Sequence, residues 1–294
     1  MTVNAHTIST LAGRKLRVME AGEPDGTPVL AHSGTPGSAL LYDAWVEDAR
    51  SRGIRLIGYD RPGYGGSTPR PGRTVASAAE DIAAICRALG LKRVMVWGHS
   101  GGGSHALACA ALLPNLVAAA AALSTPAPRE ADGLDWLAGM GEDNVAEFGA
   151  AFKGREVLQE FLEKAAPSLL GAEPATLVQA MSSLLCPPDV AALTVEAAKF
   201  LITQVREGIQ ERRDGWADDD IAFTTPWAFE LSQIRIPVML MHGEQDQMVP
   251  FSHSRWLAGK IPNVETRFQP GDGHLTIAFH RIPDVHAWLL DKMN

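Results

Sequence analysis

Val94-Met95-Val96-Trp97-Gly98-His99-Ser100-Gly101-Gly102 decides the fold. A short apolar run with strand character enters a glycine-rich turn, and an alanine-rich helical stretch follows. The order is strand, tight elbow, helix, with a serine at the apex, a turn that holds one hydroxyl where a substrate carbonyl can meet it. The small residues at 98 and 102 have a steric reason. A nucleophile at strained backbone angles brings neighbouring chain so close that a side chain two positions away would collide with it. GxSxG by itself recurs by chance in glycine-rich chains; the strand before it and the helix after it give it meaning. The competing reading is a phosphate cradle at the helix opened by Gly101, Gly102 and Gly103. It lacks its partners, because there is neither a GxxxxGK[ST] motif nor a GxGxxG followed by a suitably spaced acidic residue.

The bulk of the chain agrees with an enzyme of ordinary globular type. Its 294 residues suffice for one large α/β domain with an insertion, or two modest domains. Hydrophobic residues make up 46% and charged residues 20%, which excludes a disordered chain. A net charge of −8 without any basic run argues against a nucleic-acid partner. Cys86, Cys109 and Cys186 form an odd set without CxxC spacing, so neither a disulfide framework nor a metal site is read. Met1 to Leu11 shows no basic segment followed by an apolar core, so no secretory signal is read and a cytoplasmic location is expected. Ala106 to Leu123 approaches the length of a membrane span, but Pro114-Asn115 cuts it into a helix ending near Leu113 and a buried strand from Leu116. No membrane partner is expected.

Working outward from the elbow, strands are predicted at Lys15 to Ala21, Pro28 to Ala31, Ile54 to Tyr59, Arg93 to Trp97 and Val117 to Leu123, with helices through Tyr42 to Arg52 and Val75 to Leu89. Continuous apolar strands spaced by helices imply a parallel sheet covered on both faces. From Ala127 to Phe229 only amphipathic helical stretches occur, at Asn144 to Phe152, Arg155 to Ala165, Ala175 to Leu185 and Asp189 to Ile209. Alternation resumes with strands at Ile236 to His242 and Val264 to Gln269, and a last helix is predicted from Thr276 to Met293. The expected organisation is a core of residues 1–126 and 230–294 interrupted by a helical insertion, 127–229. Asp218-Asp219-Asp220 reads as a solvated turn, since EF-hand spacing is absent.

A serine hydroxyl is a poor nucleophile near neutrality and needs a base oriented by a carboxylate. On such a sheet those partners sit on loops after the C-terminal ends of later strands. Two loops qualify: His242-Gly243-Glu244-Gln245-Asp246 and Pro270-Gly271-Asp272-Gly273-His274. Nine histidines are present. His274 stands out because a strand feeds its loop and glycine precedes it, whereas His242, at a strand end, reads as a hydrogen-bonded core residue and His99 as a shaper of the elbow.

These features together resemble the α/β-hydrolase superfamily over nearly the whole chain. The matching segments are the elbow Gly98 to Gly102, the loop His32-Ser33-Gly34-Thr35-Pro36-Gly37, the stretch Tyr59 to Ser67, the acid loop Gly243 to Pro250, and Gly273-His274. The resemblance implies a mostly parallel sheet of about eight strands with helices on both faces and an inserted helical cap. It implies Ser100 as nucleophile, His274 as base and, over Glu244 and Asp272, Asp246 as acid. An oxyanion needs two fixed backbone donors, each worth about 3 kcal/mol of barrier. Gly101 is expected to supply one. Aligning Gly34-Thr35-Pro36-Gly37 with the family's glycine-x-proline-glycine puts the second on the Thr35 amide, with Gly34 or Ser33 as alternatives because Ser33 intervenes after His32. Arg61 to Gly65 is read as a structural bend.

The implied reaction is acyl transfer to water on a small-molecule substrate, with a carboxylic ester as the leading substrate class and no metal or organic cofactor. Serine at the elbow argues against the dehalogenase and epoxide hydrolase branches, which need a carboxylate there. Trp136, Phe148, Phe152, Trp216 and Trp227 could line the pocket. Asp132, Asp135, Glu142, Asp143 and Glu147 could instead bind an ammonium, as in prolyl aminopeptidases, although a solvated acidic face is the commoner meaning of such a cluster. The same resemblance is compatible with carbon-carbon bond hydrolysis and with a non-hydrolytic receptor or lyase, because a fold does not settle chemistry. Oligomeric state is not legible.

Overall fold

The computed structural model describes residues 3–293. Eight strands form a single sheet: β1 (Asn4–Ser9), β2 (Lys15–Gly22), β3 (Thr27–His32), β4 (Ile54–Tyr59), β5 (Val94–His99), β6 (Val117–Leu123), β7 (Val238–Gly243) and β8 (Val264–Gln269). Their order is β1-β2-β4-β3-β5-β6-β7-β8. The β1–β2 and β2–β4 pairs are antiparallel, and every pairing from β4 onward is parallel. This is the α/β sheet expected from the alternating pattern. The one strand the sequence does not announce is β1, whose NAHTIS composition is polar and buries only Ile8. An edge strand with one buried side chain has no period to read.

β5, β6 and β7 are buried along their whole length, which is why they read as continuous apolar runs. Their alternate residues enter opposite layers. Val96 and Leu240 pack with Ile82, Ile85 and Leu107 of α2 (Ser77–Ala88) and α3 (Gly101–Leu112). Met95, Trp97 and Met241 pack with Trp45 of α1 (Asp43–Ser51) and with Val285 and Trp288 of α12 (Ile282–Asp291). Each fully buried Leu or Ile contributes about 1.5–3 kcal/mol relative to exposure. Ala106 to Leu123 is split as expected, α3 ending at Leu112 and β6 starting at Val117. Among the described residues no helix is long and apolar enough to cross a membrane.

Between β6 and β7 lie six α-helices: α4 (Glu142–Ala151), α5 (Arg155–Leu170), α6 (Leu177–Ala180), α7 (Pro187–Ala192), α8 (Val195–Ile209) and α9 (Asp214–Thr224). Several differ from expectation. The stretch Ala175 to Leu185 keeps only one turn of helix, α6. Asp189 to Ile209 is broken at Leu193-Thr194, where the Thr194 hydroxyl accepts from the Ala197 amide at 3.2 Å and starts α8 afresh. After β7 come α10 (Ser252–Ala258) and, after β8, α11 (His274–His280). The single last helix expected from Thr276 to Met293 is two, α11 and α12, divided at Arg281. Pro283 stands in the first turn of α12, where its missing N–H costs nothing.

Candidate active site

Ser100 sits between β5 and α3 at φ 56°, ψ −130°, a conformation that costs a non-glycine residue about 1–3 kcal/mol. Its amide donates to the Leu123 carbonyl at 2.8 Å, tying the elbow to the end of β6. The small neighbours have the steric role read from the sequence. A Cβ on Gly98 would strike the Gly102 carbonyl, and one on Gly102 would strike the carbonyls of His32 and Ser33. Gly34 lies against the serine, its would-be Cβ 3.4 Å from the Ser100 Cβ.

The loops after β7 and β8 bring Asp246 and His274 together. His274 Nδ1 is 2.7 Å from Asp246 Oδ2, and both side chains are buried. The other oxygen, Oδ1, accepts the amides of Met248 at 2.9 Å and Val249 at 2.8 Å. His242 Nε2 stands 3.2 Å from Oδ2, and its Nδ1 is 2.6 Å from the Ser254 hydroxyl. Burial opposes the charge on Asp246, but the His274 charge and the hydrogen bonds from His242 and His274 outweigh it and hold the carboxyl well below its ordinary range. Burial likewise pulls His274 down, and Asp246 more than compensates, leaving the imidazole more basic than usual. His99 fixes the far side: its Nε2 is 3.0 Å from the His274 carbonyl, and burial pushes its own pKa down to about 3, so it stays neutral.

Asp189, a residue that nothing in the sequence singles out, anchors the histidine. It belongs to α7 in the helical insertion, is fully buried, and accepts the amides of His274 and Thr276 and the Thr276 hydroxyl, each at 2.9 Å. These are amides in the first turn of α11 that no intrahelical carbonyl can satisfy. Gly273 is needed here because a Cβ would collide with Cys186 and Asp189. No local signal marks Asp189, since the amides it accepts lie more than eighty residues away.

Ser100, His274, Gly101 and Thr35 line one cavity of about 400 Å³. No hydrogen bond joins the Ser100 hydroxyl to His274 among the described residues. Thr35 and Gly101 are neighbours: a Cβ on Gly101 would come within 2.6 Å of the Thr35 hydroxyl. That hydroxyl donates to Asp219 Oδ2 at 2.9 Å. Of the aromatic residues expected at the pocket, Trp136, Phe148 and Trp216 line it, whereas Phe152 and Trp227 do not.

Asp218-Asp219-Asp220 is no solvated turn. It lies in α9 and all three residues are buried. Asp219 Oδ2 accepts Arg61 Nη2 at 2.7 Å, Arg61 Nε at 3.0 Å and the Tyr64 hydroxyl at 2.8 Å, while Oδ1 takes Arg73 Nη1 at 2.5 Å. Arg61 also donates to the Gly34 carbonyl at 2.8 Å, so the bend at 61–65 secures the loop that carries Thr35. Burial opposes ionisation of Asp219, and the two guanidinium groups overcome it, holding the carboxyl well below its usual range. Asp218 pairs with Arg155. Of the acidic residues grouped near 132–147, Asp132, Asp135, Glu142 and Asp143 are exposed; Asp143 and the half-buried Glu147 line the cavity.

Comparison with known proteins agrees with this architecture. The model of the alpha/beta hydrolase fold family matches residues 27–280. The chain is 28% identical to a non-heme chloroperoxidase of Streptomyces lividans over 95% of both chains. It is 26% identical to the bifunctional esterase/perhydrolase DCH of Acinetobacter calcoaceticus, covering 91% of this chain and 92% of that one. Among solved structures, an alpha/beta hydrolase fold protein from Nakamurella multipartita superposes with a TM-score of 0.69 at 26% identity, covering 99% of this chain and 100% of the other. With an eight-stranded sheet, a serine elbow and a family match spanning most of its length, the chain belongs to the α/β-hydrolase fold family and is a hydrolase of that fold.

Proposed function

We propose that the protein hydrolyses carboxylic esters of small molecules through an acyl-enzyme on Ser100. His274 takes the Ser100 proton as the hydroxyl attacks the carbonyl and returns it to the leaving alcohol; Asp246 holds the imidazole in orientation and stabilises its cationic form. The amides of Gly101 and Thr35 receive the developing oxyanion. Water, activated by the same histidine, then releases the acid. The helical insertion, 127–229, serves as a cap that walls the cavity and shuts out bulk water. This chemistry calls for no metal or organic cofactor.

One observation carries the reading: His274, held 2.7 Å from Asp246, lines the same cavity as a serine at strained backbone angles. The esterase/perhydrolase name of one relative supports it further. The test is turnover of nitrophenyl acetate and butyrate. Wild type should cleave them with burst kinetics, and Ser100→Ala should lower kcat by at least about 10⁴-fold. Parallel assays with a proline anilide and a ring-fission diketone separate an ester hydrolase from a peptidase and from a carbon-carbon bond hydrolase. Turnover of only one of those two, or an unimpaired Ser100→Ala variant, would overturn the ester reading.

A further inference from the structure

Glu147 on α4 and Asp220 on α9 stand side by side in the wall of the Ser100 cavity. Both are acceptors, and they are poorly provided with donors. Glu147 Oε1 takes the Trp216 indole N–H at 2.7 Å. Asp220 is fully buried, and neither of its oxygens has a hydrogen-bond partner among the described residues. Arg73, whose charge acts on Asp220, directs Nη1 to Asp219 and Nη2 to the Gly215 carbonyl. Arg155 is taken by Asp218. Leaving a buried carboxyl without donors is costly unless something else supplies them.

The surroundings narrow what that can be. Burial raises both groups above the ordinary carboxyl range, and Glu147 raises Asp220 further, a pair whose ionised form a nearby cation would stabilise. Trp136, Phe148 and Trp216 present aromatic rings to the same cavity, surfaces that attract cations. Leu169, Leu184 and Leu201 line the cavity as well, an environment for an alkyl chain. An apolar chain that ends in a cationic donor satisfies all three features.

We propose that Glu147 and Asp220 form a substrate subsite for a cationic nitrogen, a primary or secondary ammonium carried on an alkyl chain of the substrate. Its placement on an ester rests on the hydrolase reading above; the subsite itself does not. Binding of the ammonium supplies the N–H donors that Asp220 lacks and neutralises the pair.

The experiment has two arms. In calorimetry, hexylammonium should bind wild type at least about tenfold more tightly than 1-hexanol, because a hydrogen bond to a charged acceptor is at stake. Glu147→Gln and Asp220→Asn should each erase that preference. Both replacements are isosteric and sit on different helices, so misfolding of one, read by circular dichroism, leaves the other to decide. In kinetics, the nitrophenyl ester of 6-aminohexanoate should exceed that of heptanoate in kcat/KM by a similar ratio, which falls to about one in the variants. Equal binding of hexylammonium and hexanol, or a preference that survives both substitutions, would overturn the subsite and identify a purely structural carboxyl pair. An ammonium preference in binding without turnover of either ester would retain the subsite and overturn only the ester hydrolase reading.

Discussion

Asp246 and Asp219 are both buried aspartates held well below the ordinary carboxylate range, yet the two regions around them are built for opposite purposes. At the sheet rim, Asp246 has two backbone amides on one oxygen and two imidazoles on the other. The His274 imidazole, raised by Asp246, gains and loses its charge near neutrality, so the rim responds to a single proton. Beneath the Thr35 loop, Asp219 has two guanidinium groups that never lose theirs, and its one imidazole partner, His105 at 3.2 Å, is pulled below its ordinary 6.5 by burial. That cluster is fixed, and it fastens α9 of the insertion to the loop on which an oxyanion donor is proposed. Ionisation alone therefore does not single out the proposed acid; a titratable partner that lines the Ser100 cavity does.

Breaking the rim should show first in rate. Asp246→Asn keeps the shape and removes the charge that orients and stabilises the imidazolium, and it should lower kcat by about 10⁴-fold with a small change in melting temperature. It should also move the pH profile. His274 acts as a base only when neutral and is more basic than its ordinary 6.5, so wild-type kcat/KM should climb with pH through an apparent pKa above 6.5. Residual activity in the variant should climb at lower pH. A pH-independent profile would detach His274 from the chemistry.

Breaking the cluster should show first in stability. Asp219→Ala leaves two buried guanidinium groups unpaired and should cost about 3–5 kcal/mol in denaturant unfolding. The sign with pH follows from the depressed carboxyl: its stabilisation is complete above the ordinary 3.8 and is lost as pH falls toward the folded-state value. The stability gap between wild type and variant should therefore narrow on acidification. A variant of wild-type stability would mean that the arginines find other partners.

Asp189 sharpens the contrast, because it links the insertion to the rim through α11. Asp189→Ala removes three hydrogen bonds from the start of that helix and should cost about 1–2 kcal/mol, in the range of a lost helix cap. It should also reduce kcat while the substrate KM changes little. An equal loss in a variant altered elsewhere in α7 would show that packing, rather than the carboxylate, is responsible.

How much of this can be read from the chain depends on how far apart the partners lie. The elbow is legible because its whole logic is local: a strand, a forced turn with glycines where neighbouring backbone approaches, and a helix. Asp246 and Gly273-His274 are legible because each follows a strand and so falls at a known edge of the sheet. The central strands betray themselves by burial on both faces. The insertion is much less open to reading. Its residues answer to partners far along the chain, as Asp219 does to Arg61 at a separation of 158, so three consecutive aspartates that look like a solvated turn become an ion-pair partner of Arg155, the centre of a buried cluster and an orphan carboxyl in a cavity wall. Breaks such as Leu193-Thr194 stay hidden because the apolar period runs on across them.

Whether the strained Ser100 is the nucleophile served by His274 can be read from treatment with a fluorophosphonate followed by peptide mass spectrometry. One adduct per chain is expected, on Ser100, formed more slowly at pH values where His274 is protonated and absent from Ser100→Ala. An adduct on another residue, or a Ser100 that stays unmodified while ester hydrolysis proceeds, would contradict that role.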